Sequence, residues 1–292
     1  MTSTSANPTP DARLSRAIAE ATAALGLVSD ALGAAFSAAL PAVTGSGNAD
    51  ASLRWADEVL SLTRHRPTET DVAIAFAEAG PALVERLGSD EIEELAALVR
   101  ILPARPAMVV HGALATASSA LPALAPPVRL QVLRVARQIA EANPWSIGQF
   151  LELVAAVAPR LEPDSQMVFI ESLLPLAPLS PMQLTNLLND AVAVPASVTP
   201  EQLGTLLPVA SRIAVRSSSA AQELLRSAAE LFARLGPGEL DLWSRRGEDL
   251  LGIHPAAAMS YFRLQSRLAQ DTLAAHSSGV VLAEVRDVLR LY

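Results

Sequence analysis

The sequence predicts an all-α fold, an α-solenoid or irregular helical-repeat domain with HEAT-, armadillo- or TPR-like stacking. Three observations carry this. Val, Leu and Ile recur at three- and four-residue spacing, with no alternating stretch that would make a strand. Pro106, Pro126, Pro144, Pro163, Pro181, Pro200, Pro237 and Pro255 stand at intervals of 20, 18, 19, 18, 19, 37 and 18. The apolar mass is mainly Ala, Leu and Val, with aromatics at 4%, which suits helix-on-helix packing.

The proline spacing has a physical meaning. Proline lacks an N–H and has a fixed φ, so it is favoured in the first turn of a helix, where that N–H has no intrahelical partner. Small or polar residues precede several of them, as at Asn143, Ser180 and Thr199, and Thr199 with Gln202 fits a capping box. The single long interval holds a serine-rich helix start near Ser218. A helix pair therefore takes about 37 residues, between the periods of TPR and of HEAT or armadillo repeats.

In chain order, residues 1–10 read as a disordered, proline-containing tail. Residues 11–44 read as an N-terminal helix and loop, with a helix to about Leu40 that sets Leu25, Val28, Leu32 and Phe36 on one face. The following "PAVTGSGNAD" reads as a loop stopped by glycines. Residues 51–292 read as the repeat array. Within it, Ser89 is expected to cap a helix whose first turn, Asp90 to Glu94, is solvated and acidic. Leu130 and Leu133 mark an aliphatic face, with Arg134 and Arg137 opposite. An internal echo joins the two ends of the array: Trp55 precedes Phe76 by 21 residues and Trp243 precedes Phe262 by 19. The last helix sets Val281, Leu282, Val285, Val288, Leu289 and Tyr292 on one face, and Leu289→Asp is expected to destabilise the domain.

Much chemistry is excluded. All 22 basic residues are arginine, which removes lysine nucleophiles, lysine bases and P-loop lysines. Such usage reflects GC-rich, bacterial-type coding. There is no cysteine, hence no disulfide framework, zinc finger or thiol chemistry. The net charge of −8 is spread along the chain without a basic stripe, which argues against nucleic-acid binding. No secretory leader or membrane span is recognisable, so a cytoplasmic protein is expected. His65, His111, His254 and His276 form no metal-ligand spacing and read as structural. GxSxG, GxxxxGK[ST] and GxGxxG are missing, so no enzyme activity, cofactor or metal is expected.

The densest charged stretch is "ELDLWSRRGEDLLGIHP". Burial of Leu242 or Leu250 is expected to fix this helix, at about 1.5–3 kcal/mol each. Its exposed charges, worth about 0–1 kcal/mol per pair, are left to choose a partner. Arg245, Arg246, Glu248 and Asp249 are the candidate partner-binding rim, with Trp243 and Tyr261 assigned to the core.

The stretch "AMSYFRLQSRLAQDTLAAHSSGVVLAEVRDVLRLY", with Trp243 upstream, resembles the helical region before the von Willebrand A domain in the bacterial nitric-oxide-reductase-activation and Rubisco-activation proteins. The residues carrying the resemblance are Trp243, Tyr261, Phe262, Ser266, Leu268, Leu273, Leu282, Val285, Leu289, Leu291 and Tyr292. Gln265-Ser266 stands where the family has Glu-Ser. The resemblance covers about the last 50 residues. It implies a non-catalytic interaction module of an adaptor that couples a MoxR-type AAA+ ATPase to a client protein for its activation. It also implies that the natural chain continues past Tyr292 into a metal-binding A domain, none of whose DxSxS motif is present here. The alternative is an unrelated standalone α-solenoid scaffold or peptide-binding protein.

Overall fold

The computed structural model describes residues 10–103, 108–192, 200–231 and 237–275. Every regular element among them is helical, as the sequence predicts, and they divide into two compact units, Met1–Leu151 and Glu152–Tyr292.

The first unit holds α1 (Pro10–Val28), α2 (Asp30–Gly45), α3 (Ala49–His65), α4 (Thr70–Arg86), α5 (Ser89–Ile101), α6 (Met108–Ala120) and α7 (Pro126–Ala142). Helices two apart pack together: α1 on α3, α3 on α5 and α5 on α7 form one layer, and α2 on α4 and α4 on α6 form the other. This is the two-layer stacking of a helical-repeat array, each helix burying a stripe that it could not bury alone. Helix α8 (Ile147–Val157) runs through the residues where one unit gives way to the next.

The second unit continues with α9 (Pro163–Ser172), α10 (Pro181–Val192), α11 (Pro200–Arg216), α12 (Ser218–Leu231), α13 (Pro237–Ile253) and α14 (Pro255–Ala275). The same alternation recurs, with α9, α11 and α13 in one layer and α10, α12 and α14 in the other.

Proline sets the starts. Helices α7, α9, α10, α11, α13 and α14 begin on Pro126, Pro163, Pro181, Pro200, Pro237 and Pro255, and a single 3₁₀ turn begins on Pro144. Helix α12 begins at Ser218, in the middle of the long interval, with Ser217 Oγ accepting from Ala220 N–H at 3.2 Å. Ser180 and Gln183 form a reciprocal capping box before α10, at 2.9 and 3.3 Å. Pro106 and Thr199 lie outside the described residues, as does the helix expected over 281–292. Proline is not an infallible start signal: Pro41, Pro81 and Pro208 sit inside α2, α4 and α11.

Three local expectations change. The single helix expected over 11–40 is two helices, broken at Ser29, which is extended at φ −160° and ψ 132°. Helix α2 turns back on α1 where Gly33 meets Gly26: a Cβ at Gly33 would lie 3.1 Å from the Gly26 Cα. Leu25, Leu32 and Phe36 are buried as expected, but the break leaves Val28 48% exposed. The expected loop shrinks, because α2 runs through Pro41 to Gly45 and only Ser46–Asn48 are non-helical, with Gly47 at φ 74°. Helix α5 is capped at Gly88 rather than Ser89, with the Glu91 carboxylate accepting from the Gly88 N–H. Its first turn is not simply solvated, since Glu91 is buried and faces Arg129 at 3.6 Å.

Candidate functional site

Both units are stitched by arginine–carboxylate pairs with a common sequence separation. In the first unit, Arg100 of α5 pairs with Glu58 of α3, and Arg54 of α3 reaches Glu93 of α5 at 3.3 Å. Glu94 of α5 receives Arg134 at 3.6 Å and Arg137 at 3.0 Å from α7. In the second unit, Arg212 of α11 pairs with Glu248 of α13, Arg226 of α12 with Asp190 of α10, and Arg263 of α14 with Glu223 of α12, at 2.8–2.9 Å. All of these pairs span 36–43 residues, which is one helix pair. Each therefore joins equivalent helices of adjacent repeats, and in the first unit the partners advance together along both helices, so α3, α5 and α7 run parallel.

Against this background one concave feature stands out. A groove of about 500 Å³ lies between α11 and α13, floored by Thr205, Pro208 and Val209 of α11. Its charged rim consists of Arg212 from α11 and Asp241, Arg245, Glu248 and Asp249 from α13. Positions 241, 245, 248 and 249 share one face because they are three or four residues apart on a helix, with Asp249 at its margin. Arg212 grips Glu248 with a two-pronged contact, Nε to Oε1 at 2.9 Å and Nη2 to Oε2 at 2.8 Å. This hydrogen bond holds the Glu248 carboxyl below its ordinary range, against the opposing effect of burial, and the same bond raises the Arg212 guanidinium. Arg245 donates to Asp241 Oδ1 at 2.9 Å while its side chain stays largely exposed. Asp249 is exposed at the end of the rim.

Three of the four candidate residues, Arg245, Glu248 and Asp249, thus meet at one groove. Arg246 does not line it: it is half-buried on another face of α13. Sequence reasoning missed Arg212, whose separation of 36 residues from Glu248 matches the repeat and was the available signal. No cluster of three or more His, Asp or Glu able to hold a metal exists among the described residues.

The core beneath the groove differs from expectation in one respect. Trp243 is 1% exposed and Leu251 is buried, but Leu242 is 47% exposed and Leu250 half-buried. Helix α13 is therefore fixed through Trp243, Gly247 and Leu251 rather than Leu242. The Trp243 and Phe262 rings meet edge to face at 5.1 Å, and Tyr261 meets Phe262 at 5.7 Å. Gly247 is required here, because a Cβ would overlap the Phe262 ring. Burial raises the Tyr261 phenol above its ordinary range. Trp243 Nε1, the Tyr261 hydroxyl and Gln265 Oε1 are buried without a hydrogen-bond partner among the described residues.

The three histidines among the described residues do not come together. His65 is exposed at the end of α3 with Nδ1 2.8 Å from the Ser61 carbonyl, His111 is exposed on α6, and His254 Nδ1 accepts from Ala256 N–H at 3.1 Å at the start of α14. His276 lies outside the described residues. No described helix is long and apolar enough to cross a membrane. No protein-family model, no curated protein and no solved structure matches the chain.

Proposed function

We propose that this chain is a non-catalytic helical interaction module, and that the α11–α13 groove engages a protein partner. The observation that carries the reading is the rim itself. The Arg212–Glu248 clamp shapes one wall, and Arg245 and Asp249 present opposite charges to solvent beside it. Mixed charge around a partly apolar floor favours a polar protein segment in one orientation, because complementary charges fix register and suppress wrong partners. The sequence resemblance names that partner as a MoxR-type AAA+ ATPase, which the module couples to a client inside the cytoplasm.

The test is binding of the full chain to a purified ATPase of that type, compared with the Arg245→Glu, Asp249→Arg double variant. Both side chains are exposed, so the variant's melting temperature should stay near that of the parent while affinity falls about tenfold or more, the scale of losing paired interfacial charges. Absence of binding by the parent chain defeats the ATPase assignment. Unchanged binding by the variant moves the interface away from the groove. The repeat stacking also suits a second reading, a standalone scaffold or peptide-binding α-solenoid. Saturable capture of peptides, with no affinity for the ATPase, would favour that one.

A further inference from the structure

The residues of α13 that face solvent form one stripe. Leu242, Arg245, Asp249, Gly252 and Ile253 are exposed, and steps of three, four, three and one residues set them on a single side of the helix. Arg246 is half-buried, acts on the Tyr261 phenol of α14 and lies off this stripe. Leu242 is 47% and Ile253 78% exposed, and among the described residues of the second unit α13 alone exposes two large aliphatic side chains. Between them stand one cation and one anion, Arg245 and Asp249. The order along the stripe is therefore aliphatic, positive, negative, aliphatic, which turned end for end becomes its own complement.

We propose that this stripe is a self-association surface, on which two copies of the chain pair their α13 helices antiparallel about a two-fold axis at the level of Gly247. The charge order selects a second copy as the occupant. In that register position 245 of one copy faces position 249 of the other, so Arg245 meets Asp249 twice, once on each side of the axis. The same register sets Leu242 of each copy against Gly252 and Ile253 of the other. A two-fold interface requires this self-complementarity, because every contact is made twice with the partners exchanged. A Cβ at Gly252 would find only the Arg216 guanidinium within 4 Å, so the surface there leaves room for an incoming leucine. A parallel pairing would instead set Arg245 against Arg245 and Asp249 against Asp249, and like charges oppose it. Burial of the aliphatic ends supplies the attraction, and the two ion pairs fix the orientation. The inference does not rest on the partner assigned to the groove. Because both use Arg245 and Asp249, a dimer and a bound partner exclude each other.

Sedimentation of the full chain over a concentration series tests this. The parent should show a reversible monomer–dimer equilibrium. Arg245→Asp and Asp249→Arg should each weaken it about tenfold or more, since each variant brings like charges together twice. Mixing those two variants in equal amounts should restore the dimer, because every charge contact of the mixed pair is again opposite in sign. Combining Arg245→Asp with Asp249→Arg in one chain should restore it too. Reversal of both charges is expected to cost the groove its ATPase, yet it leaves this interface matched, so the two readings fail separately. A parent that stays monomeric up to about 1 mM, enough to populate even a weak dimer, would overturn the proposal. Single variants that dimerise like the parent, or a mixture that stays monomeric, would overturn it as well.

Discussion

The α3–α4 pair of the first unit and the α13–α14 pair of the second share an order in sequence, Trp on one helix and Phe on the next, yet solve the packing differently. Trp55 lies flat on Phe36, with ring centroids 4.6 Å apart and planes 1° apart, and its Nε1 donates to the Phe76 carbonyl at 3.2 Å. Trp243 instead meets Phe262 edge to face, and its Nε1 has no acceptor among the described residues. The difference follows from one glycine. Gly80, on the Phe-bearing helix α4, opens space for the Trp55 indole, whose atoms would lie 2.5 Å from a Cβ there. Gly247, on the Trp-bearing helix α13, opens space for Phe262. Whichever helix carries the glycine receives the other helix's ring. The pair in the first unit thereby brings its indole N–H to a carbonyl, and the pair in the second does not.

The largest effect expected from breaking this comparison comes from the glycines. Gly80→Ala and Gly247→Ala should each destabilise by about 1–3 kcal/mol, the cost of overpacking a fixed ring, despite the better helix propensity of Ala. Gly112→Ala, at a helical site with nothing within 4 Å, should instead stabilise by about 0.4–1 kcal/mol in the same thermal melts. A stabilised Gly80→Ala or Gly247→Ala would mean that the rings move aside.

The tryptophans give a smaller, sharper contrast. Trp55→Phe loses a hydrogen bond worth about 0.5–1.5 kcal/mol, whereas Trp243→Phe removes a buried N–H whose lack of an acceptor costs about 1–3 kcal/mol. Denaturant unfolding should therefore show Trp55→Phe as the more destabilising of the two. The reverse order would show that Trp243 Nε1 finds an acceptor in solution.

The smallest effect is a pair of opposite pH trends. Burial raises the Glu58 carboxyl despite Arg100 and Arg54 beside it, whereas the Arg212 hydrogen bond lowers that of Glu248. A raised group contributes stability that is complete below its unfolded pKa and is lost as pH rises through its folded value. A lowered group contributes above its unfolded pKa and loses that contribution as pH falls through its folded value. Glu58→Gln should therefore cost less at pH 7 than at pH 3, and Glu248→Gln more. Parallel trends in melts across that range would contradict the assignment for one of the two carboxyls.

What was legible in the sequence was what local chemistry dictates. Proline marks helix starts because its ring excludes it from most other helical positions, so six of the described helices begin on prolines of the predicted series. Ser217 and Ser180 act through short-range capping bonds and were equally readable. The Ser29 break was not, since the close approach of Gly33 to Gly26 exists only after α2 folds back. Glu91 and Glu94 looked like solvated helix-start charges because Arg129, Arg134 and Arg137 arrive from a helix about 40 residues away. The candidate rim was half legible for the same reason: Arg245, Glu248 and Asp249 share one stretch of sequence, while Arg212, which positions Glu248, comes from the neighbouring repeat.

The repeat-length span of the arginine–carboxylate pairs, 36–43 residues, also constrains how such a chain can change its length. Adding or removing a whole helix pair near 37 residues keeps the stitching guanidiniums opposite their carboxylates. An insertion of a single helical turn leaves each helix intact but slides its charges past their partners. Arrays of this kind should therefore grow and shrink in whole repeats, with the ion pairs acting as the gauge that rejects fractional steps.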